Sequence, residues 1–457
     1  AKVDISKLNP PKKNGVIEEI EDIASVDVKK KFLTGDNDMH RGLSITWPAE
    51  NVGTLKKIRK TQSRPKVIFE SIDTEGNKKE WKLKMLMEIH SEPTAASLAS
   101  ALGLYSDISN YVKSFKIYLD DQSYDEFVVD FSDYFELDDL HHLIESKGSD
   151  DKGAYIVFKE GMLEARFDDS ELNRVGPYYP ASKKGKRETR AWQIFNIWVN
   201  NTDLKPGENN KLTSRYIDGE LRLFGLQHDM GYGFGNWQRE KPTNFKWKAI
   251  HKKTKKGLIF NFRSGVIHEG WDHVTMADGK WFTRKIAQLS REQITAAVEL
   301  GNWPNKSPYN YEQLLIEKLI SRRNDMVKGF GLLGEVLPNG KKIELIEFNR
   351  DIDKDAIPTN IFLEDETVDF REETKLLFKT GPLEALNDAV VSGAKALITG
   401  INKVSLEPVW FGFDAYGLIA EVLAHVDRQV VSNPNPTSER DQFIVRDDFR
   451  LGVRLGT

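Results

Sequence analysis

Residues 67–85 read VIFESIDTEGNKKEWKLKM, and this stretch decides how the first half of the chain is expected to fold. The segment VIFESID is a strand candidate rich in β-branched and aromatic residues, and after the turn-forming segment TEGN the residues EWKLKM alternate with the period of a half-buried β-strand. The stretch therefore predicts a β-hairpin. Further strands are predicted at residues 115–119, 154–159 and 163–167, the last two separated by a turn at Glu160-Gly161.

A helix is predicted directly after the hairpin. Ser91 can cap it, Pro93 lies early, where its missing N–H costs nothing, and Gly103 ends it. A second, acidic helix is predicted at residues 137–144. Hairpin, helices and further strands together predict a small α+β lobe.

The second half of the chain is predicted to be mainly helical. A buried helix over residues 188–201 leads into a polar loop, and a hairpin around Asp218-Gly219 follows it. Residues 281–330 have the period of helices. The predicted organisation is an N-terminal extension, an α+β lobe, a helical lobe and a mixed, β-rich C-terminal module, at residues 1–60, 61–167, 168–330 and 331–457.

The composition excludes several classes of protein. The 457 residues carry a net charge of −4, so the chain as a whole is not a polycation built to bind nucleic acid. No apolar run approaches the roughly 20 residues that a transmembrane helix needs. The chain has no cysteine, which excludes disulfides, cysteine nucleophiles and thiolate metal sites.

The same features suggest where the protein acts. A chain of this length without cysteine fits an exported bacterial protein, and the polar start at Ala1 fits either a removed signal peptide or trimming. We expect a periplasmic or secreted bacterial protein, with a cytoplasmic one as the alternative.

Two polar strings are candidates for a site that binds phosphate and metal. They are Asn200-Asn201-Thr202-Asp203-Leu204-Lys205, with Asn209 and Asn210 soon after it, and His228-Asp229-Met230-Gly231. Phosphoryl transfer needs a carboxylate near the accepting hydroxyl, and an amide plus a second carboxylate that hold magnesium.

These residue types suggest individual roles. Asp203 can orient or deprotonate the acceptor hydroxyl, and Lys205 can steady the phosphate. Asp229, with Asn210 or Asn209, can hold the metal. The alternative is that Asn, Asp, Pro and Gly simply form turns here.

A lysine on the predicted hairpin is the third element of the site. Lys84 can contact phosphate while Glu92, which opens the next helix, pairs with it and aims it. Lys82 lies on the same strand face as Lys84 and remains a second candidate. Glu88 is likewise a second candidate for the glutamate.

In this order the motifs resemble an atypical protein-kinase-like family. They are similar in outline to HipA-type bacterial kinases and to secretory-pathway kinases, and more closely to bacterial proteins with an Asn-x-Thr-Asp-x-Lys loop. The resemblance covers residues 65–330. It implies an α+β, two-lobed protein-kinase-like fold, in which a small N-lobe of sheet plus helix precedes a mainly helical C-lobe.

The resemblance also implies ATP and Mg²⁺ in the cleft between the lobes. Lys84 would contact the phosphates and Glu92 would pair with it. Asp203 would be the catalytic carboxylate, and Asn210 and Asp229 would hold the metal.

The sequence departs from the family in three places. Asn201 stands where protein kinases commonly have His. Asn210 follows Asp203 at a longer spacing than usual, which leaves Asn209 open as the metal ligand. No G-x-G-x-x-G motif precedes Lys84.

The expected function is an ATP- and Mg²⁺-dependent phosphotransferase acting on an unknown protein or small-molecule acceptor. Three alternatives remain open: a pseudokinase-type scaffold that binds a nucleotide or a partner, an adenylyltransferase, and an envelope-associated structural protein.

Overall fold

The hairpin predicted at residues 67–85 is confirmed. In the computed structural model of the chain, β2 spans Lys66–Ile72 and β3 spans Lys78–Lys84, in antiparallel register from Lys66↔Lys84 to Ile72↔Lys78. The structure describes residues 15–59, 65–86, 88–165, 167, 171–177, 187–204, 209–235, 245–262, 273–306, 309–349 and 371–378.

Four more strands join the hairpin in one sheet, and five of the six strands close into a barrel. The added strands are β1 (Val52–Ile58), β4 (Ser109–Tyr118), β5 (Ile144–Asp150) and β6 (Gly153–Glu164). The strand order is β3-β2-β1-β4-β6-β5, and β6 also pairs with β3, which closes the ring. β1 and β4 run parallel, and the other neighbours run antiparallel. β1 lies in residues 1–60, which the sequence analysis assigned to an N-terminal extension.

The interior of the barrel is filled by the alternating apolar residues of its strands. Phe69, Trp81, Phe115 and Phe158 are fully buried there, and the rings of Phe69 and Phe115 lie 4.7 Å apart. Two helices, α3 (Tyr124–Ser132) and α4 (Leu137–Leu143), add their apolar side chains to the same cluster. The alternation of apolar and polar residues along a strand therefore indicates which face of that strand lines the barrel.

The turn predicted at Glu160-Gly161 is wrong, because β6 runs straight through it. Gly161 is the point at which β6 approaches β3: a Cβ there would lie 2.4 Å from Leu83 Cδ1 and 3.1 Å from the Lys84 carbonyl. The glycine thus permits the close approach of two strands, so that Leu83 pairs with Leu163 and Lys84 with Met162.

The second half of the chain mixes sheets with helices. Its helices are α5 (Arg187–Val199), α6 (Met276–Ile286), α7 (Arg291–Leu300) and α8 (Tyr311–Gly329). Its strands are β7 (Asn173–Pro177), β8 (Asn210–Ile217), β9 (Glu220–Gln227), β10 (Ile250–Thr254), β11 (Gly257–Phe260), β12 (Asn305–Lys306), β13 (Tyr309–Asn310) and β14 (Leu377–Phe378). They form the sheets β7-β8-β9, β10-β11-β14 and β12-β13.

The two-lobed protein-kinase-like fold expected from the sequence is therefore wrong. The first half is a closed five-stranded barrel, and the second half is a sheet-rich mix rather than a mainly helical lobe. The motifs behind that expectation are short and local. Closure of the barrel depends on pairing between β3 and β6, which are distant in the chain, and no short motif reports such pairing.

Helix α2 (Glu88–Ala101) is buried along its whole length. It packs against α1 (Val28–Leu33), α7 and β4. The helix begins earlier than predicted, so Ser91 does not cap it; its hydroxyl donates to the Gly231 carbonyl instead. Pro93 consequently lies inside the helix, where it removes a backbone hydrogen bond.

The remaining sequence predictions fall partly outside the described residues. Lys205 and most of the predicted β-rich module at residues 331–457 belong to stretches that the structure does not describe. Within the parts that it does describe, every helix is too short or too polar to cross a membrane.

Candidate functional site

Lys84 is the centre of the candidate site. It is the last residue of β3, and alternation along the strand places Lys82 and Lys84 on the face opposite the barrel core, while Trp81 and Leu83 fill that core. Lys84 is nonetheless fully buried, because α2 and the end of β9 cover this face. A buried ammonium group requires charged partners.

Three carboxylates surround the Lys84 ammonium group. Lys84 Nζ donates to Glu92 Oε2 at 2.6 Å and to Asp229 Oδ1 at 3.2 Å. It also lies 2.7 Å from Glu164 Oε1. Two of the residues proposed from the sequence to work with Lys84 are therefore brought to it from separate elements, α2 and the segment after β9.

Asp229 is the carboxylate of this group that solvent reaches. Its side chain is 24% exposed, whereas those of Glu92 and Glu164 are 2% and 3% exposed. Its φ of 59° lies in the left-handed region, as does the φ of 52° at Asn200. Backbone in this region is uncommon outside glycine and is concentrated at functional sites. Of the three carboxylates, that of Asp229 is thus the most accessible to solvent.

Glu88 and Gly231 complete the floor of the site. A Cβ at Gly231 would lie 2.7 Å from Glu88 Cγ, so only glycine lets the segment after Asp229 pack against α2. Oxygen atoms of Glu88, Glu92 and Asp229 all lie within 4.8 Å of one another. Glu92 Oε1 is buried and has no hydrogen bond among the described residues. Such oxygen atoms suit a hard divalent cation.

The Asp203 string reaches the same region through hydrogen bonds. Asn209 Nδ2 donates to the Asp203 carbonyl at 2.7 Å, and the His228 N–H donates to the Asn209 carbonyl at 2.8 Å. Asn210 begins β8 and pairs with Gln227 at the end of β9. The two strings are thus joined at their backbones. Asp203 is not in the acidic group of Glu88, Glu92 and Asp229.

A buried arginine holds the helix that delivers this loop. Arg322 of α8 is fully buried and donates to the carbonyls of Trp198 and Ile197, in the last turn of α5. Its Nη1 also donates to the carbonyls of Lys246 and Lys248. The end of α5, from which the Asp203 loop departs, is therefore fixed by a residue far along the chain.

Electrostatics divide the carboxylates of the site into two kinds. Burial raises the pKa of Glu92 to about 8, with Glu164 and Asp229 adding to the effect against the attraction of Lys84. Burial also acts to raise the pKa of Asp229, but Lys84, Lys66 and His228 outweigh it and hold that pKa well below its usual value. Asp229 is therefore the firmly ionised carboxylate that solvent can reach.

The pKa of Lys84 shows the same balance. Burial alone would lower it, but Asp229, Glu164, Glu92 and Glu88 raise it well above its ordinary value. The lysine is therefore charged at neutral pH.

Sequence reasoning missed two contributors to the site. Glu164 ends β6 and contacts both Lys82 and Lys84. Asp107 pairs with His228 and, at 2.7 Å, with Arg174. Both are single acidic residues without a motif, and their partners lie on distant strands, so the sequence alone carried no signal for them.

A comparison of the chain with models of protein families, with curated proteins and with solved structures finds no match. The function must therefore be inferred from the chemistry of the site itself.

Proposed function

We propose that this protein is an ATP- and Mg²⁺-dependent phosphotransferase. The observation that carries the proposal is the convergence of Glu92 and Asp229 on the buried ammonium group of Lys84, at 2.6 and 3.2 Å. A strand lysine aimed by a helix glutamate, beside an aspartate after a strand, is a means of clamping nucleotide phosphates and their metal.

The residues of the site divide the work between phosphate and metal. Lys84 would contact the phosphate oxygens, held in place by Glu92. Asp229, together with Asn210, would hold Mg²⁺, since carboxylate and amide oxygens suit that ion. When bound, Mg²⁺ neutralises the charge of the phosphates. Exposure of Asp229 and the low pKa of its carboxyl group support this assignment.

Asp203 would act on the acceptor, which is an unidentified protein or small molecule. Its carboxylate would orient the acceptor hydroxyl and take up its proton. Asn209 fixes the backbone of Asp203 relative to His228, which precedes Asp229. This connection supports a shared role for the two strings.

Nucleotide binding can be tested by thermal unfolding. ATP with Mg²⁺ should raise the melting temperature of the native chain, because a ligand at a hundred times its dissociation constant stabilises by about 2.7 kcal/mol. Asp229→Asn should abolish the rise. Asp218→Asn is the matched control, since Asp218 lies on a turn with its side chain 82% exposed, and it should keep the rise. Equal shifts in both variants would contradict the assignment of Asp229.

The type of transfer can be tested with labelled ATP. Label from the γ-phosphate should reach the acceptor or the protein, and Asp203→Asn should lose this transfer while it keeps the thermal shift. Transfer of label from the α-phosphate would instead indicate an adenylyltransferase. Binding without transfer of either label would indicate a scaffold.

A further inference from the structure

We infer that Glu164 is a second positioning residue for Lys84, oriented in turn by Lys82. The inference rests on the proposed function, in which Lys84 binds phosphate. It also assigns different roles to the two lysines of β3 that the sequence left as alternatives.

The geometry of Glu164 supports this role. Its two carboxylate oxygens face two different lysines: Oε1 lies 2.7 Å from Lys84 Nζ, and Oε2 accepts from Lys82 Nζ at 2.8 Å. The Glu164 side chain is 3% exposed, and those of Lys82 and Lys84 are 12% and 1% exposed. The Lys82–Glu164–Lys84 bridge is therefore a buried, alternating row of charges.

Strand pairing explains why this bridge exists. Leu83 and Lys84 pair with Leu163 and Met162, so the end of β6 is held beside the end of β3. Two ammonium groups on one face of a strand repel each other in a buried setting, and the carboxylate between them removes that repulsion. Closure of the barrel brings this carboxylate to Lys84.

The bridge also adds a second element that holds Lys84 in place. Glu92 approaches Lys84 from α2 and Glu164 approaches it from β6, so the ammonium group is held from two separate elements. The third neighbour, Asp229, is the one that solvent reaches. Among the described residues, Lys82 forms its ion pair with Glu164, whereas Lys84 pairs with Asp229. We therefore assign to Lys82 the role of orienting Glu164, and to Lys84 that of contacting the ligand.

The first test measures the reactivity of Lys84 without any nucleotide. The native chain and its variants are treated with an amine-acylating reagent, and labelling of each lysine is followed by peptide mass spectrometry. Glu164→Gln should raise the labelling rate of Lys84 at least tenfold. Lys66, which is 3% exposed and pairs with Lys84 across β2 and β3, is the internal reference and should stay protected.

Three variants control this measurement. Glu164→Asp keeps the charge but shortens the side chain, so it should also expose Lys84 and serves where Glu164→Gln fails to fold. Lys82→Met should raise Lys84 labelling as well, because it removes the group that orients Glu164. Glu160→Gln changes a half-exposed glutamate on the same strand, bonded to Tyr111, and should leave Lys84 protected.

The second test measures the affinity for MgATP by calorimetry. Glu164→Gln should weaken binding at least about tenfold, because a displaced Lys84 loses hydrogen bonds to the phosphate, and each such bond from a charged donor contributes roughly tenfold or more to affinity. The inference about Glu164 would be overturned if Glu164→Gln left the labelling rate of Lys84 unchanged. It would also be overturned if the labelling rate of Lys66 rose by the same factor as that of Lys84. Increased Lys84 labelling in a chain that binds no MgATP would retain the positioning role and overturn the proposed function instead.

Discussion

Asn209 joins two parts of the site that are distant in the chain. Its amide group donates to the Asp203 carbonyl, and its own carbonyl accepts from the His228 N–H. The sequence left Asn209 open as a metal ligand. The structure shows its amide nitrogen engaged with the Asp203 backbone, and our proposal keeps Asn210 as the metal ligand.

Replacement of Asn209 should separate activity from stability. Asn209→Ala should lower the rate of phosphoryl transfer at least tenfold by loosening the Asp203 loop, but should cost only about 1 kcal/mol of stability. Asn51→Ala is the matched control, because Asn51 makes the same kind of bond to the Lys113 carbonyl on the barrel. Because Asn51 is exposed and Asn209 is buried, Asn51→Ala should cost no more stability than Asn209→Ala, and it should leave transfer unchanged. Equal rates in the two variants would refute the role of Asn209.

His40 predicts how stability depends on pH. It is 2% exposed, stacks on Phe167, and burial lowers its pKa from 6.5 to about 4. In the unfolded chain, His40 therefore binds a proton below about pH 6.5. In the folded chain, His40 binds that proton only below about pH 4. The contribution of His40 is fully present above pH 6.5 and falls by roughly 3 kcal/mol as pH drops to about 4.

Urea unfolding at several pH values checks this prediction. The free energy of unfolding of the native chain should decline more steeply between pH 6.5 and 4 than that of His40→Gln. The two chains should run parallel above pH 7. Parallel decline across the acid range would show that His40 is not the group responsible.

At the scale of elements, Gly161 is the residue that lets β6 close the barrel against β3. Gly161→Ala should destabilise the chain by about 1–3 kcal/mol, because the added methyl group meets the fully buried Leu83 side chain. Gly15→Ala is the control, since its Cβ would have only ordinary contacts, the nearest at 3.6 Å. Chemical denaturation of both variants measures the difference.

A double variant tests the cause of this destabilisation. Leu83→Ala removes the atoms that the new methyl group would meet, so adding Gly161→Ala to it should cost little more. Strict additivity of the two changes would show that the glycine acts through another neighbour.

Local patterns predicted elements well where neighbours in the chain are also neighbours in space. Alternation and turn residues identified the hairpins β2–β3 and β8–β9, and helical period identified α5, α7 and α8. β1 was not predicted, because a bulge between Leu55 and Lys57 interrupts the alternation of its residues. Glu160-Gly161 was misread because glycine serves close strand contacts as well as turns.

The residues of the site were likewise predictable only where a local sequence pattern marked them. Residue type and order in the chain predicted three members of the site, Lys84, Glu92 and Asp229. The structure brings these three side chains together. Glu164 and Asp107 were not predictable, since their roles come from pairings between distant strands. The order of the motifs also suggested an architecture that barrel closure overturns.

At the scale of the whole molecule, α2 connects the barrel to the second half of the chain. All of its residues are buried, it packs against β4 on one side and α7 on another, and it supplies Glu92 to Lys84 of the barrel. A helix that is buried on all sides depends on the packing of both neighbours for its stability.

The barrel and the helices around α2 should therefore unfold together. Hydrogen exchange in increasing urea should show the amides of β3 and of α5 losing protection at the same denaturant concentration. α3 is the internal comparison, since only Phe127 and Phe131 of its nine residues are buried, and it should fray earlier. Loss of protection in β3 well before α5 would show that the two halves are independent.

The closure of the barrel also limits how the site can move. β3 is bonded to β2 along its length and to β6 at the end that carries Lys84, so neither margin of this strand is free to swing. Of the carboxylates around Lys84, Asp229 is the one that solvent reaches, and it lies on neither β2 nor β6. We therefore expect Lys84 to keep its position when a ligand binds, and any rearrangement to occur on the Asp229 side.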